Sequence, residues 1–157
     1  MHPYVAEVIG TGLLLLLGNG VVCNVALRQT KGHASGWIVV TAGWGLAVFA
    51  GVAVAGRFSG AHINPAVTVG LAAAGRFPWA EVLPYVASQM LGAFLGTSGS
   101  FLAYYHHYQK TDDQAAKRAT FCTGPEIRSP TFNVITEAVG TFTLVFVILM
   151  FASPPVS

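Results

Sequence analysis

Four apolar runs, each about as long as a bilayer is thick, alternate with shorter polar segments along this chain. Residues 4–27, YVAEVIGTGLLLLLGNGVVCNVAL, form the first. A helix rises about 1.5 Å per residue and a hydrocarbon core is about 30 Å thick, so about 20 such residues cross it. Arg28 to Ser35 read as a polar turn, and residues 36–56, GWIVVTAGWGLAVFAGVAVAG, as the second run. The third begins near Trp79 and reaches about Tyr105; the fourth is 132–152, FNVITEAVGTFTLVFVILMFA. Between these last two, residues 106–131 carry Lys110, Asp112, Asp113, Lys117, Arg118, Glu126 and Arg128 and read as an exposed, solvated loop. The N-terminus has no basic n-region and no small-residue cleavage site. The first run is therefore expected to be a retained span and not a signal peptide.

The exception to this rhythm is residues 60–75, GAHINPAVTVGLAAAG. Asn64 is a good N-cap and Pro65 suits the first helical position, while Gly75 before Arg76 is a stop signal. A helix over 64–75 would reach about 18 Å, roughly half a bilayer. Its lead-in, residues 57–63 (RFSGAHI), reads as extended and polar. Unpaired backbone cannot face lipid, where each unsatisfied group costs several kcal/mol. The segment is expected to be a re-entrant half-helix that starts near the midplane and is buried in protein or lines a water-filled cavity.

Composition agrees with a membrane chain. The 157 residues are 54% hydrophobic and only 9% charged, with mean hydropathy +0.61, against about 25% charge in soluble domains. The net charge of +2 and the lack of a basic stripe with interleaved aromatics give no case for nucleic acid. Cys23 sits in an apolar run and Cys122 in the polar loop, so no disulfide is expected. Small residues suited to close helix approach recur: Gly92-x-x-x-Gly96 with Gly99 in the third run, and Gly43, Gly45, Gly51 and Gly56 in the second.

An internal echo sets the organisation. AEVIGTGLLLLLG starts at Ala6 and TEAVGTFTLVFVI at Thr136; each has Glu, two apolar residues and Gly-Thr opening a span. Three spans separate the copies, so they enter the membrane from opposite sides, as in an inverted repeat. Residues 1–131 read as a first repeat of three spans, a half-helix at 64–75 and a polar loop at 106–131. Residues 132–157 read as the first span of an incomplete second repeat.

These residues resemble the major intrinsic protein family, the aquaporins and glycerol facilitators. SGAHINPAVT (59–68) is similar to the family's first Asn-Pro-Ala loop, the Glu-x-x-Gly-Thr motifs at Glu7 and Glu137 to the starts of its two repeats, and SQMLGAFLG (88–96) to its third helix. The resemblance implies an all-α membrane fold with six spans and two facing half-helices, a pore in each subunit and a homotetramer. A second Asn-Pro-Ala motif, its following arginine and two further spans are absent from these residues, so the sequence is expected to be truncated or partial. By loop charge alone, the positive-inside rule puts the long basic loop in the cytoplasm. The resemblance instead places the N-terminus, Arg57 and the start of the half-helix inside, in a cell membrane (the inner one if the source is a Gram-negative bacterium), and that orientation is adopted.

The resemblance also gives the candidate pore residues. Asn64 can cap a backbone N–H through its carbonyl and leave its NH₂ donors for a passing hydroxyl or water. Pro65 and Ala66 complete the motif. The half-helix N-terminus carries about half a positive charge, and two opposed half-helices raise a barrier to protons and cations, an effect for which this family is itself the standard example. Gly60, Ala61, His62 and Ile63 would present their carbonyls as a ladder of acceptors. The His62 side chain reads as packing and hydrogen-bonding in the vestibule. As a metal ligand it lacks Cys or carboxylate partners at ligand spacing.

Trp44 would flank the outer filter, where the resemblance associates Trp with glycerol facilitators and Phe with water-selective members; its bland reading is packing. Glu7 and Glu137 are costly carboxylates near or in the membrane, each implied to hold the backbone of a re-entrant loop, with Gln89 helping. No cofactor or metal is expected, and no nucleophile–base set or phosphate loop suggests an enzyme. The expected function is a passive channel for glycerol and small uncharged polyols, with some water, excluding protons and ions. A water-selective channel, a secondary transporter with broken helices and a non-conducting fragment are the alternatives.

Overall fold

The computed structural model describes residues 1–151, all of whose regular structure is helical. Its elements are α1 (Pro3–Ala26), α2 (Trp37–Ser59), α3 (Pro65–Ala73), α4 (Trp79–Ala103), α5 (Tyr105–Lys110), α6 (Gln114–Ala119) and α7 (Pro130–Phe151). The last residue of the fourth apolar run, Ala152, and the rest of the expected second-repeat segment to Ser157 lie outside the described residues.

α1 is the centre of the packing, with α2 on one side and α4 on another. Gly10 meets Gly51 and Ala55, Gly18 meets the Trp44 ring, and Val21 meets Gly43, so α1 and α2 run antiparallel. Val8 meets Gly92, Gly12 meets Gly96 and Leu16 meets Gly99, so α1 and α4 run parallel. In lipid, helices gain little from apolar burial against each other and rely on close van der Waals packing. A Cβ on Gly96 would collide with the Gly12 carbonyl oxygen, so this seam exists only because side chains are absent from it. One polar clasp adds to it: Asn19 Nδ2 donates to Thr97 Oγ1 at 2.9 Å.

Among the described residues three helices, α1, α2 and α7, are long and apolar enough to cross a membrane. α4, expected as a further span, is as long at 25 residues but less apolar. The cause is its buried polar face, Tyr85, Gln89 and Ser100, which turns inward. α7 packs against α3, with Val145 at Gly70, and none of its residues is buried. The Arg76 guanidinium donates to the Leu149 carbonyl at 2.6 Å and ties the end of α7 to the turn after α3.

Two expectations need correction. Residues 57–59 are not an extended lead-in: α2 continues through Arg57 and Phe58 to Ser59, and Gly60 at φ 81° ends it. The non-helical lead-in is only Gly60 to Ile63, because Gly56 still accepts the Gly60 N–H at 3.0 Å. Nor is 106–131 simply a solvated loop. α5 and α6 fold against the end of α1, where Tyr108, Thr111 and Thr120 are buried. Tyr108 Oη lies 3.2 Å from Cys23 Sγ and 2.6 Å from Thr120 Oγ1, and the Arg28 N–H donates to Thr111 Oγ1 at 2.9 Å. Burial and the hydrogen bond to Cys23 raise the Tyr108 phenol above its ordinary pKa.

Candidate functional site: a half-helix and its buried anchor

α3 is shorter than expected, with Pro65–Ala73 helical in place of 64–75. Nine residues reach about 14 Å, under half of a bilayer core. Its start follows from local chemistry. Asn64 is extended at φ −157°, and its Oδ1 accepts the Ala66 N–H at 2.8 Å. Pro65 brings no N–H that would need a partner. At the other end the Gly75 N–H donates to the Ala72 carbonyl and the Arg76 N–H to the Leu71 carbonyl, a Schellman motif that needs the positive φ of Gly75, +70°.

The lead-in is strained. Gly60, Ala61 and Ile63 have φ of 81°, 49° and 42°. For a β-branched residue such as Ile63 this region is a true outlier, and each such residue costs about 1–3 kcal/mol unless its surroundings enforce it. They do so through Glu7, which is fully buried on α1. Its Oε1 accepts the His62 N–H at 3.0 Å and the Ser59 hydroxyl at 2.6 Å. Its Oε2 accepts the Ile63 N–H at 2.8 Å and Gln89 Nε2 at 2.8 Å. With Ala61 and Ile63 positive in φ on either side of His62, successive N–H groups converge on one anion, and here the anion is a side chain from another helix. Both oxygens act only as acceptors, as an ionised carboxylate does.

A further ring of bonds surrounds this pin. The Ala61 N–H donates to Ser59 Oγ at 3.0 Å, and Tyr85 Oη donates to the Ser59 carbonyl at 3.1 Å. Gln89 Nε2 also donates to Thr68 Oγ1 at 2.9 Å, while Thr68 Oγ1 donates to the Asn64 carbonyl at 3.2 Å and lies 3.1 Å from His62 Nδ1. The His62 ring sits edge-on to Phe77 and tilted against Tyr85, centroids 4.6 and 4.9 Å away.

The N–H groups of Ala61, His62 and Ile63 are thus all held from the Glu7 side. Among the described residues no group donates to the carbonyls of Gly60, Ala61, His62 or Ile63. The lead-in has a satisfied donor edge and, among the described residues, an open acceptor edge. Asn64 Nδ2 likewise has no partner among the described residues.

The structure brings Glu7, Gly60, Ala61, His62, Ile63, Asn64, Pro65, Ala66 and Gln89 into one neighbourhood. Gln89 touches the Glu7 carboxylate and Thr68, not the lead-in backbone itself. Trp44 lies apart from this cluster and is half-buried against Gly18 of α1. Glu137 also lies apart: it is exposed on α7, beside a hollow of about 260 Å³ lined by Thr123, Gly124, Pro125, Asn133 and Thr136. Ser59, Thr68 and Tyr85 were not singled out from sequence. Thr68, one turn into a short helix whose cap is Asn64, carried the clearest signal. Among the described residues no group of three or more His, Cys, Asp or Glu side chains could hold a metal ion.

Apolar helices of spanning length around a half-length helix with a buried carboxylate anchor define a multi-pass membrane protein with re-entrant backbone. The chain belongs to the Major intrinsic protein family, whose model matches residues 1–156. This is a family of membrane channels and not of enzymes. The chain is 55% identical over 149 residues to a probable glycerol uptake facilitator protein of Thermotoga maritima, covering 95% of this chain and 64% of that one. It is 48% identical over 149 residues to the glycerol uptake facilitator protein of Bacillus subtilis, covering 95% and 54%. In structure it is similar to the aquaglyceroporin of Plasmodium falciparum, with TM-score 0.66 and 37% identity over 72% of this chain and 46% of that one. The chain therefore spans between about half and two thirds of the length of these curated relatives.

Proposed function

We propose that this chain supplies one wall of a channel for the passive diffusion of glycerol and similarly small uncharged polyols, with some water, and that the channel excludes protons and ions. The observation that carries the reading is the one-sided satisfaction of the lead-in. Its N–H groups are bound by Glu7 and Ser59, while among the described residues nothing donates to four successive carbonyls. A polyol entering a narrow pore loses water from its hydroxyls, and each unmade bond costs about 1–3 kcal/mol. A row of fixed acceptors and the Asn64 NH₂ offset that loss for a molecule carrying a hydroxyl on each carbon. The α3 N-terminus adds about half a positive charge beside the path and disfavours cations.

The relatives, named as a probable glycerol uptake facilitator protein and a glycerol uptake facilitator protein, support the rest of the reading. Residues 1–131 act as one repeat and 132–157 open a second, inverted one. Glu137 would hold the second re-entrant loop as Glu7 holds the first, Trp44 would form an apolar wall of the filter, and the assembly would be a homotetramer with its N-terminus in the cytoplasm. A saturable, ion-coupled transporter is the main rival.

The test is tracer glycerol flux into liposomes holding residues 1–157, beside liposomes holding the chain extended by a second half of the relatives' kind and beside empty ones. Fast, non-saturating flux is expected from the extended chain and only background from residues 1–157. Full flux from residues 1–157 alone would overturn the inverted-repeat reading, and saturable, ion-dependent flux would overturn the channel.

A further inference from the structure

On the side of α4 turned away from the Glu7 cluster lies a groove of about 790 Å³. Met90, Phe94, Phe101 and Leu102 of α4 line it, with Leu15 of α1 and Phe121 from the segment after α6. These α4 positions recur at helical spacing along one face, distinct from the Tyr85, Gln89, Gly92, Gly96 and Ser100 face that packs inward. Thr97, also on the wall, has its hydroxyl engaged by Asn19. We propose that this groove is a binding site for one anionic phospholipid, with an acyl chain along α4 and the phosphate at the Lys117–Arg118 end.

Size and charge both select that occupant. From Met90 to Leu102 the helix advances about 18 Å, slightly more than one leaflet of a 30 Å core. Spread over that length, the volume gives a cross-section of about 44 Å², near half that of a helix 10 Å wide. The groove is narrower than a helix and wide enough for an acyl chain.

Phe121 closes the groove at its α6 end, and its N–H is tied to the Arg118 carbonyl at 3.0 Å. Lys117 and Arg118 occupy the last turn of α6 and form no ion pair among the described residues. Of the two acidic residues next to this short helix, Asp113 is engaged at its other end, capping the Ala115 and Ala116 N–H groups, and Asp112 is exposed before it. The segment that follows these cations is fixed to the bundle through Tyr108, whose hydroxyl lies 2.6 Å from Thr120 Oγ1 and 3.2 Å from Cys23 Sγ.

The test uses residues 1–157 in mild detergent with phosphatidylglycerol and phosphatidylcholine of identical acyl chains, read by native mass spectrometry. Two basic side chains beside a phosphate support a preference of about 30-fold for the anionic lipid. Ala93→Trp, which fills the groove wall, should abolish retention of both lipids, and Lys117→Ala with Arg118→Ala should remove the preference while leaving acyl binding. A second measurement needs no variant. Phosphatidylglycerol with a photoreactive acyl chain should label residues 90–102 and Phe121. Labels spread evenly over the exposed faces of α2 and α7, or equal retention of the two lipids by the wild-type chain, would overturn the site. These readouts are independent of glycerol flux.

Discussion

Replacing Glu7 by Gln tests whether the lead-in is held by a carboxylate or merely packed. Gln keeps the shape but offers one acceptor and one NH₂ group where Glu7 offers two acceptors. Four donors converge there: Ser59 Oγ, the His62 N–H, the Ile63 N–H and Gln89 Nε2. The new NH₂ settles at lowest cost on the Ser59 side. Ser59 can turn its proton toward the Ala55 carbonyl, 3.4 Å away, and accept from the new amide. Only the His62 N–H is then orphaned, at a cost of about 1–3 kcal/mol. The bonds left on the oxygen side lose charge assistance, about 1 kcal/mol each. Against this, the chain no longer buries a charge, whose effective penalty is several kcal/mol.

The terms oppose each other globally but not locally. Glu7→Gln should change overall stability little while freeing the His62 amide. Losing about 2 kcal/mol of local protection corresponds to about 30-fold faster exchange. Hydrogen exchange at single-residue resolution on the reconstituted chain should therefore show His62 accelerated at least about tenfold, with Ile63 affected less. Glu7→Ala orphans the His62 and Ile63 N–H groups together and leaves a cavity, so it should prevent stable folding. Unchanged exchange at His62 in the Gln variant would refute the anchoring argument, because the strained φ values would then be maintained by packing alone.

Gly96→Ala should weaken the α1–α4 seam by about 1–3 kcal/mol or more, since the added methyl meets the Gly12 backbone and not a movable side chain. Gly12→Ala, whose methyl would sit 3.4 Å from the Gly92 carbonyl, should cost much less, and loss of helicity on titration with a denaturing detergent compares the two. Asn64→Leu in the extended chain should cut glycerol flux sharply while costing only the cap, about 0.5–2 kcal/mol; unchanged flux at equal protein density would remove Asn64 from the pore. Because the folded state raises the Tyr108 pKa, that residue's contribution to stability is complete below the ordinary tyrosine pKa and is lost as pH rises through the folded value. Limited proteolysis of 104–121 should accelerate at strongly alkaline pH, and Tyr108→Phe should remove that pH dependence.

The parts of this fold that could be read from sequence share one property: their signals are local. A spanning run announces itself by hydropathy, and α3 announces its start by Asn64-Pro65 and its stop by Gly75, each a choice dictated by a few neighbouring backbone groups. The repeated Glu-x-x-Gly-Thr pointed to Glu7 by the cost of a carboxylate in an apolar run. What escaped depends on partners far along the chain. Ser59 looked like part of an extended polar link because Arg57 precedes it, yet its hydroxyl is satisfied by Glu7, 52 residues away. Tyr108, Thr111 and Thr120 lie in a stretch whose charge count says solvent, and composition cannot distinguish a hydroxyl bonded to water from one bonded to Cys23 or Arg28.

The same ambiguity hid α4's inward face, whose polar residues lower its hydropathy because they contact other polar residues and not lipid. Glu7 and Glu137 share a sequence motif, but one is buried under four donors and the other exposed. The shared motif therefore does not by itself fix a carboxylate's role: at Glu7 the tertiary neighbourhood supplies four donors, and at Glu137 the described residues supply none. At Glu7 the donors include the successive His62 and Ile63 N–H groups, flanked by positive φ at Ala61 and Ile63, and among the described residues nothing donates to the four carbonyls from Gly60 to Ile63.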